Sequence, residues 1–291
     1  MIYRLMAGEA LECLAGIPDG SVDCCLTSPP YWGSRNRSYG PGIGLGTESD
    51  PSGYLRTLVG IFAGVRRVLK PMGTFWLNIG DSYLHRQPLG LPWRLARALQ
   101  RDGWRLRQEI IWAKANPLPE PVKDRFVRSH ESVFLFTKSE RYFWDFEATR
   151  ERGVTTSAGT DQQDTRETHG AGGGNYGLNA AKARMRAQLK AQGFVTRTRR
   201  DVWTIPTQAG QGGHFAIMPE ALAERCILAG CSPNGTVLDP FMGSGTTGAV
   251  ALRHGRSFIG IDLNPEYLAL AQRRLLQIPN LVPLFPAEAT A

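Results

Sequence analysis

Acid is in short supply in this chain. Over 291 residues, 26 Asp and Glu stand against 34 Lys and Arg, a formal net charge of +8. A surplus of that sign favours an anionic partner, with nucleic acid first among them. Cysteine is sparse as well. The five present are Cys13, Cys24, Cys25, Cys226 and Cys231, an odd number with no CxxC pair and no zinc-ligand spacing. That excludes a disulfide framework and a zinc finger, and leaves reduced, mostly buried thiols as the expectation; no metal site is expected. Long apolar runs are missing too: none would span a bilayer, and no secretory leader pattern opens the chain. A cytoplasmic protein with no membrane association is the corresponding expectation.

What is present is an alternation of strand and helix patterns. A short strand and short helix lead through Pro18-Asp19-Gly20 to a buried strand near Val22–Ser28, which meets the step Ser28-Pro29-Pro30-Tyr31-Trp32. Residues 54–70 carry Leu55, Leu58, Val59, Phe62, Val65 and Leu69 at helical spacing, and Pro71-Met72-Gly73 is expected to end that helix. A strand over 74–80 and a helix over 91–103 follow. Two strand-like runs, 106–114 and 131–138, flank a proline-rich stretch and predict a hairpin with a long loop. After residue 200 the pattern resumes with a helix at 218–231, a strand at 236–239, a glycine turn into a helix, a strand at 257–262 and a last helix capped by Asn264-Pro265. Such alternation predicts an α/β fold around a mostly parallel sheet covered on both faces.

The stretch from about 149 to 200 differs. It is poor in apolar residues, rich in Gly, Thr and Gln, and passes into a basic helix and tail bearing Lys182, Arg184, Arg186, Lys190, Arg197, Arg199 and Arg200. Those cations read either as a phosphate-binding patch or as a solvated face.

Gly243-Ser244-Gly245-Thr246-Thr247-Gly248 matches GxGxxG, follows a strand and opens a helix. Asp262 ends the next strand about 20 residues on, where an acid can accept hydrogen bonds from two ribose hydroxyls. A nucleoside-containing cofactor is expected. Only some forty residues follow Gly248. A dinucleotide fold needs several more βα units after this motif. Those units must precede it here, which predicts a circularly permuted sheet and disfavours a nicotinamide oxidoreductase.

The pair Thr27-Ser28-Pro29-Pro30-Tyr31-Trp32 and Val237-Leu238-Asp239-Pro240-Phe241-Met242-Gly243-Ser244-Gly245-Thr246-Thr247 resembles the two signature motifs of DNA amino-methyltransferases. Their order, catalytic motif first, resembles the β arrangement of that family. The resemblance covers nearly the whole chain outside about 150–200. It implies a circularly permuted Rossmann-like methyltransferase fold with a seven-stranded, mostly parallel sheet and an antiparallel hairpin. It divides the chain into a catalytic half (1–148), a target-recognition insertion (149–201) and a cofactor half (202–291). It implies S-adenosyl-L-methionine as cofactor, double-stranded DNA as substrate, a restriction endonuclease as optional partner, and a monomer or homodimer.

The same resemblance assigns residues. Ser28, Pro29, Pro30 and Tyr31 form the catalytic tetrapeptide: the Ser28 hydroxyl and Pro29 carbonyl accept from the target amine, and Tyr31 offers a flat face to a flipped base. Proline rigidity suits this, because each fixes φ and pushes the preceding residue to extended geometry. Trp32 extends that wall or belongs to the core. Asp239, Phe241, Gly243, Gly245 and Thr246 fall in the methionine-binding loop, with Asp239 toward the ammonium; Asp262 matches the ribose acid and Glu9 an acid near the adenine amine. His214 and Phe215 match a segment closing over the methionine tail, or merely lead into a helix. Asp81 either supports the base from behind or caps the next turn. Asp124 and Arg125 lie near DNA or form a surface ion pair. No Pro-Cys dipeptide occurs, so attack on cytosine C5 is not expected. In this family Ser at the first position resembles enzymes acting on cytosine N4, whereas Asp or Asn usually marks adenine N6. N4-cytosine is the leading expectation, with N6-adenine and a catalytically silent nucleic-acid-binding module as alternatives.

Overall fold

The computed structural model describes residues 1–33, 44–117, 119–153, 187, 196–208 and 217–279, with the backbone of 282–283. Two compact units are present, Met1–Asp145 with Asp201–Ala291, and Phe146–Arg200.

The first unit is built on a nine-stranded sheet. Its strands are β1 (Ile2–Ala7), β2 (Val22–Thr27), β3 (Leu69–Ile79), β6 (Arg105–Lys114), β7 (His130–Thr137), β10 (Val202–Ile205), β11 (Thr236–Asp239), β12 (Ser257–Asp262) and β13 (Val282–Pro283); β4 (Tyr83–Leu84) and β5 (Gln87–Pro88) form a separate small hairpin. The order is β10-β6-β7-β3-β2-β11-β12-β1-β13. Every pairing is parallel except those of β7, which runs antiparallel to both β3 and β6. The late strands β11 and β12 therefore sit between the early strands β1 and β2, which is the expected circular permutation. Seven of the nine strands are the seven legible in the sequence. The other two are edge strands, β10 alongside β6 and β13 alongside β1.

Alternation along the strands divides two cores. Cys24, Leu26, Trp76 and Val237 face one layer, with helices Glu220–Gly230, Thr246–Arg253 and Pro265–Leu276. Cys25, Phe75, Leu77 and Leu238 face the other, with helices Ala10–Ala15, Pro51–Val68 and Leu91–Arg101. The neighbouring Cys24 and Cys25 thus enter opposite cores, and all five cysteines are free thiols. Because both faces are covered, the central strands read as continuous apolar runs.

One helix begins and ends differently from expectation. It runs Pro51–Val68, capped by the Asp50 carboxylate, which accepts from Ser52 N at 2.8 Å and Gly53 N at 2.9 Å. Its buried face is Tyr54, Leu58, Ile61, Phe62, Val65 and Val68, so Leu55 and Val59 lie to one side. The chain then turns directly into β3 at Leu69, and Pro71-Met72-Gly73 becomes the start of that strand rather than a break. A register irregularity against β2, between Val22 and Cys24, absorbs the proline. Among the described residues no helix is long and apolar enough to cross a membrane.

The second unit contains the antiparallel pair β8 (Arg150–Arg152) and β9 (Thr196–Thr198), preceded by a 3-10 turn at Glu147–Thr149. The expected basic helix, with Lys182, Arg184, Arg186 and Lys190, lies outside the described residues, as do His214 and Phe215.

Candidate functional site

The parallel strands end on one edge of the sheet, and the chemistry-bearing residues collect there. Ser28 follows β2, Asn78 lies near the end of β3, and Lys114 ends β6. Because β7 is reversed, its first residues His130 and Glu131 arrive at the same edge, with Glu131 opposite Trp112 in the ladder.

These side chains form one hydrogen-bonded group. The Tyr31 hydroxyl donates to Glu131 Oε2 at 2.7 Å. Ser28 Oγ lies 3.4 Å from that hydroxyl. Asn78 Nδ2 donates to Glu131 Oε2 at 2.9 Å and reaches Tyr31 Oη at 3.2 Å and Ser28 Oγ at 3.3 Å. Lys114 Nζ pairs with Glu131 Oε1 at 2.5 Å, with both side chains largely buried. The carboxylate accepts only, so it dictates that Asn78 presents its NH2 and not its carbonyl. The cost is an Asn78 Oδ1 that is buried with no partner.

Tyr31 is held at its hydroxyl by these hydrogen bonds and along its ring by Gly80. Its ring packs so closely on Gly80 that a Cβ there would sit 2.9 Å from Tyr31 Cε2. Burial, followed by the Glu131 charge, raises its hydroxyl well above the usual tyrosine range, so the phenol keeps its proton. One residue earlier, the Pro30 carbonyl accepts from the Tyr54 hydroxyl at 2.9 Å. Trp32 packs against the core and donates its indole N–H to the Glu48 carbonyl at 3.0 Å. Of its two readings, these contacts are those of a residue belonging to the core.

Beside the tetrapeptide lies a cavity of about 230 Å³, lined by Glu9, Pro30, Glu48, Phe241 and Asp262 among others. Three carboxylates around one space suit a ligand that is cationic and rich in hydroxyls. Phe241 and Pro30 supply apolar faces for a flat ring. The expected cofactor residues thus divide. Glu9, Phe241 and Asp262 line the cavity, whereas Asp239, Gly243, Gly245 and Thr246 shape the loop that borders it.

The loop is held by its acids. Asp262 Oδ2 accepts from Gly243 N at 2.8 Å, and Oδ1 from Asn264 N at 2.9 Å. Gly243 at φ +51° and Gly245 at φ +79° take left-handed conformations that favour glycine, and Gly245 leads into helix Thr246–Arg253. Asp239 is 3% exposed and accepts from Thr27 Oγ1 at 2.6 Å, Thr247 Oγ1 at 2.7 Å and Phe241 N at 3.1 Å. Burial pushes its carboxyl up to about 6 against those hydrogen bonds. Three protein donors on this carboxylate make loop support its visible task; the ammonium contact expected of it would use a remaining lone pair. Thr246 is buried and accepts from Arg274 Nη1 at 2.9 Å.

Asp81 caps its own turn. Its carboxylate accepts from Ser82 N, Gly90 N and Leu91 N, each at 2.9 Å, which starts helix Leu91–Arg101. In the long β6–β7 loop Arg125 pairs with Glu120 at 2.9 Å and stacks 4.3 Å above the Tyr83 ring, while Asp124 is exposed. In the second unit Arg197 and Arg199 lie 3.0 and 4.0 Å from Glu151, and Arg200 is exposed.

Glu131, Asn78, Lys114 and Glu48 were not singled out from the sequence. Signals existed for two of them. Asn78 is a polar residue inside an apolar strand, and Glu131 heads another.

The family model described as "DNA methylase" matches residues 22–273. Among curated proteins, the chain is 39% identical to the type II methyltransferase M.SmaI of Serratia marcescens, over 94% of this chain and 91% of that one. It is 40% identical to the type II methyltransferase M.Cfr9I of Citrobacter freundii, over 93% of this chain and 87% of the relative. Among solved structures, the PvuII DNA methyltransferase (cytosine-N4-specific) superposes with a TM-score of 0.68 at 22% identity, covering 96% of this chain and 88% of the other. A chain from Thermus thermophilus, described as a DNA modification methylase and complexed with S-adenosyl-L-methionine, superposes with a TM-score of 0.64 at 27% identity, covering 98% and 99%.

Proposed function

The chain belongs to the N6/N4 family of DNA methylases, and we propose that it transfers a methyl group from S-adenosyl-L-methionine to the exocyclic N4 amine of a cytosine flipped out of double-stranded DNA. The observation that carries the choice of base is the residue opening the tetrapeptide. Ser28 puts a short hydroxyl, not the longer carbonyl of Asp or Asn, at the head of Pro29-Pro30-Tyr31. Its Oγ sits within the polar group of Asn78, Tyr31 and Glu131.

When bound, the cofactor supplies an electrophilic methyl on a positively charged sulfur. The residues of this chain do the rest. An amine conjugated to a pyrimidine ring is a poor nucleophile because its lone pair is delocalised. Ser28 Oγ and the Pro29 carbonyl accept its two hydrogens, which holds the nitrogen so that the lone pair can point at the methyl. The Pro30 carbonyl accepts from Tyr54, and the preceding carbonyl, of Pro29, is the one assigned to the amine. Asp262 and Glu9 receive the hydroxyls and amine of the cofactor's nucleoside, with Phe241 against its apolar surface. His214 and Phe215 close over the methionine end. Residues 149–201 read the target sequence, and their cations, Lys182, Arg184, Arg186 and Lys190 with Arg197, Arg199 and Arg200, contact phosphates. Asp124 and Arg125, on the β6–β7 loop, border the DNA. Several relatives are named as type II methyltransferases, and a restriction endonuclease of the same sequence specificity is the expected partner in a cytoplasmic setting.

The deciding experiment incubates the protein with unmethylated genomic DNA and labelled cofactor, then hydrolyses the DNA to nucleosides for mass spectrometry. N4-methyldeoxycytidine is expected. N6-methyldeoxyadenosine would replace the base assignment while keeping the family, and no methylated nucleoside at all would overturn the reading.

A further inference from the structure

A serine hydroxyl is ambivalent: it can donate or accept, whereas a group facing an amine N–H must accept. We infer that Glu131 is a positioning residue that fixes the Ser28 hydroxyl as an acceptor, acting through Tyr31. The inference rests on the reading that Ser28 faces the target amine, and it holds for either base.

The direction of the hydrogen bonds follows from counting protons. Glu131 is paired with Lys114 at 2.5 Å and, as a carboxylate, can only accept. The Tyr31 hydroxyl has one proton and gives it to Glu131 Oε2 at 2.7 Å. In the Ser28–Tyr31 contact of 3.4 Å, Ser28 must then be the donor. Asn78 completes the pattern. One Nδ2 hydrogen goes to Glu131, and the other is shared between Tyr31 Oη and Ser28 Oγ. Ser28 therefore spends its proton on Tyr31 and one lone pair on Asn78. The lone pair that remains is available to an incoming N–H.

The arrangement does for serine what a side-chain carbonyl does by its nature, since a carbonyl has no proton to misdirect. It also accounts for the unpartnered Asn78 Oδ1: the amide is held in the orientation that feeds the chain of donors, and its carbonyl goes without. Asn78, Lys114 and Glu131 stand on the neighbouring strands β3, β6 and β7, and Gly80 packs closely against the Tyr31 ring.

A double-mutant cycle on kcat tests this. Tyr31→Phe keeps the aromatic ring and the Glu131–Lys114–Asn78 contacts and removes only the intermediate hydroxyl. Glu131→Gln removes the obligatory acceptor. Each should lower kcat by roughly 10- to 100-fold while leaving the KM values for cofactor and DNA within about twofold, the pattern of an interaction made in the transition state. In a Ser28→Ala background both substitutions should have almost no further effect, because no hydroxyl is left to orient. Ser28→Asn, which brings its own carbonyl, should keep whatever activity it has when Tyr31→Phe is added. Effects of Tyr31→Phe and Ser28→Ala that multiply would overturn the inference, as would a Tyr31→Phe variant with wild-type kcat beside an inactive Ser28→Ala. Should Glu131→Gln fail to fold for want of a partner for Lys114, Glu131→Gln combined with Lys114→Met, which removes both charges of the pair, takes its place in the cycle. Failure of the underlying reading looks different: Ser28→Ala itself would then retain full kcat.

Discussion

The Asp262 carboxylate accepts the Gly243 backbone N–H at 2.8 Å, so the acid that ends β12 clamps the glycine loop that follows β11. Its second oxygen takes Asn264 N at 2.9 Å, the cap residue of helix Pro265–Leu276. One buried side chain thus holds the loop and the next helix start while lining the cavity.

Asp262→Ala removes both functions together. Two backbone N–H groups lose their acceptor, at a cost of about 1–3 kcal/mol each where they remain buried. Cofactor affinity should fall at least about tenfold, since both a ligand acceptor and the loop's geometry are lost. Calorimetric titration with S-adenosyl-L-methionine and thermal unfolding of the same samples check the pair of effects. An affinity within twofold of wild type would remove Asp262 from the cofactor site.

Asp239 makes a pH-dependent contribution to stability. Its carboxyl is raised to about 6 in the folded protein by burial. The unfolded chain releases the same proton near the ordinary aspartate value of about 4. Between about pH 4 and pH 6 the folded state therefore holds the extra proton. Its contribution to stability is greatest below that window, declines as pH rises through it and is level above. The full decline is roughly 3 kcal/mol. Urea unfolding of wild type and Asp239→Asn at pH 4.5, 5.5 and 7 should show the difference between them moving against wild type as pH rises. A difference that is flat or of the opposite slope would mean that Thr27, Thr247 and the Phe241 N–H outweigh burial.

Much of this is legible locally. The seven main strands, the glycine loop, Asp262 one strand later and the permuted order can be read because each signal lies within a contiguous stretch. The network around Ser28 cannot. Tyr31 and Glu131 are 100 residues apart, and Asn78 and Ser28 are 50 apart. Asn78 and Ser28 meet because β2 and β3 lie side by side in parallel, and Glu131 joins them because β7 runs backwards between β3 and β6. Asp81 carries two readings for the same reason: nothing local tells a strand-end acid facing a ligand from one capping a helix nine residues on. The helix at Pro51–Val68 departs from its apolar periodicity at both ends. Asp50-Pro51 is a strong start signal placed before any apolar residue, and Pro71 is tolerated because it opens a strand that bulges there.

Gly248, the last glycine of the loop motif, is required by packing. A Cβ there would lie 2.5 Å from Phe258 Cε1 and 2.6 Å from Cδ1, so helix Thr246–Arg253 rests directly on the fully buried Phe258 of β12. Gly248→Ala should destabilise by about 1–3 kcal/mol through overpacking. Phe258→Leu placed in the same chain should recover part of that loss, because it opens the space the methyl needs. Thermal unfolding of the two single variants and the double variant gives the coupling. Strict additivity would show that the helix simply shifts aside.

The cations proposed to contact DNA can be tested in two groups. Each phosphate neutralised by a free cation adds about 0.9 to the slope of log K against log salt. Replacing Lys182, Arg184, Arg186 and Lys190 together by Gln should lower that slope by up to about four such contacts. Glu151 lies 3.0 and 4.0 Å from Arg197 and Arg199 and already balances part of their charge. Their replacement by Gln should change the slope by less than about 0.9 each, because a phosphate must first compete with a carboxylate. Glu151→Gln should do the reverse, freeing both guanidinium groups and tightening binding most at low salt. Fluorescence anisotropy on a labelled duplex between 50 and about 200 mM salt measures all three. Equal slopes for the fourfold variant and wild type would exclude the 182–190 cations from the DNA surface, and weaker binding by Glu151→Gln would show that Glu151 orients the two arginines rather than competing for them.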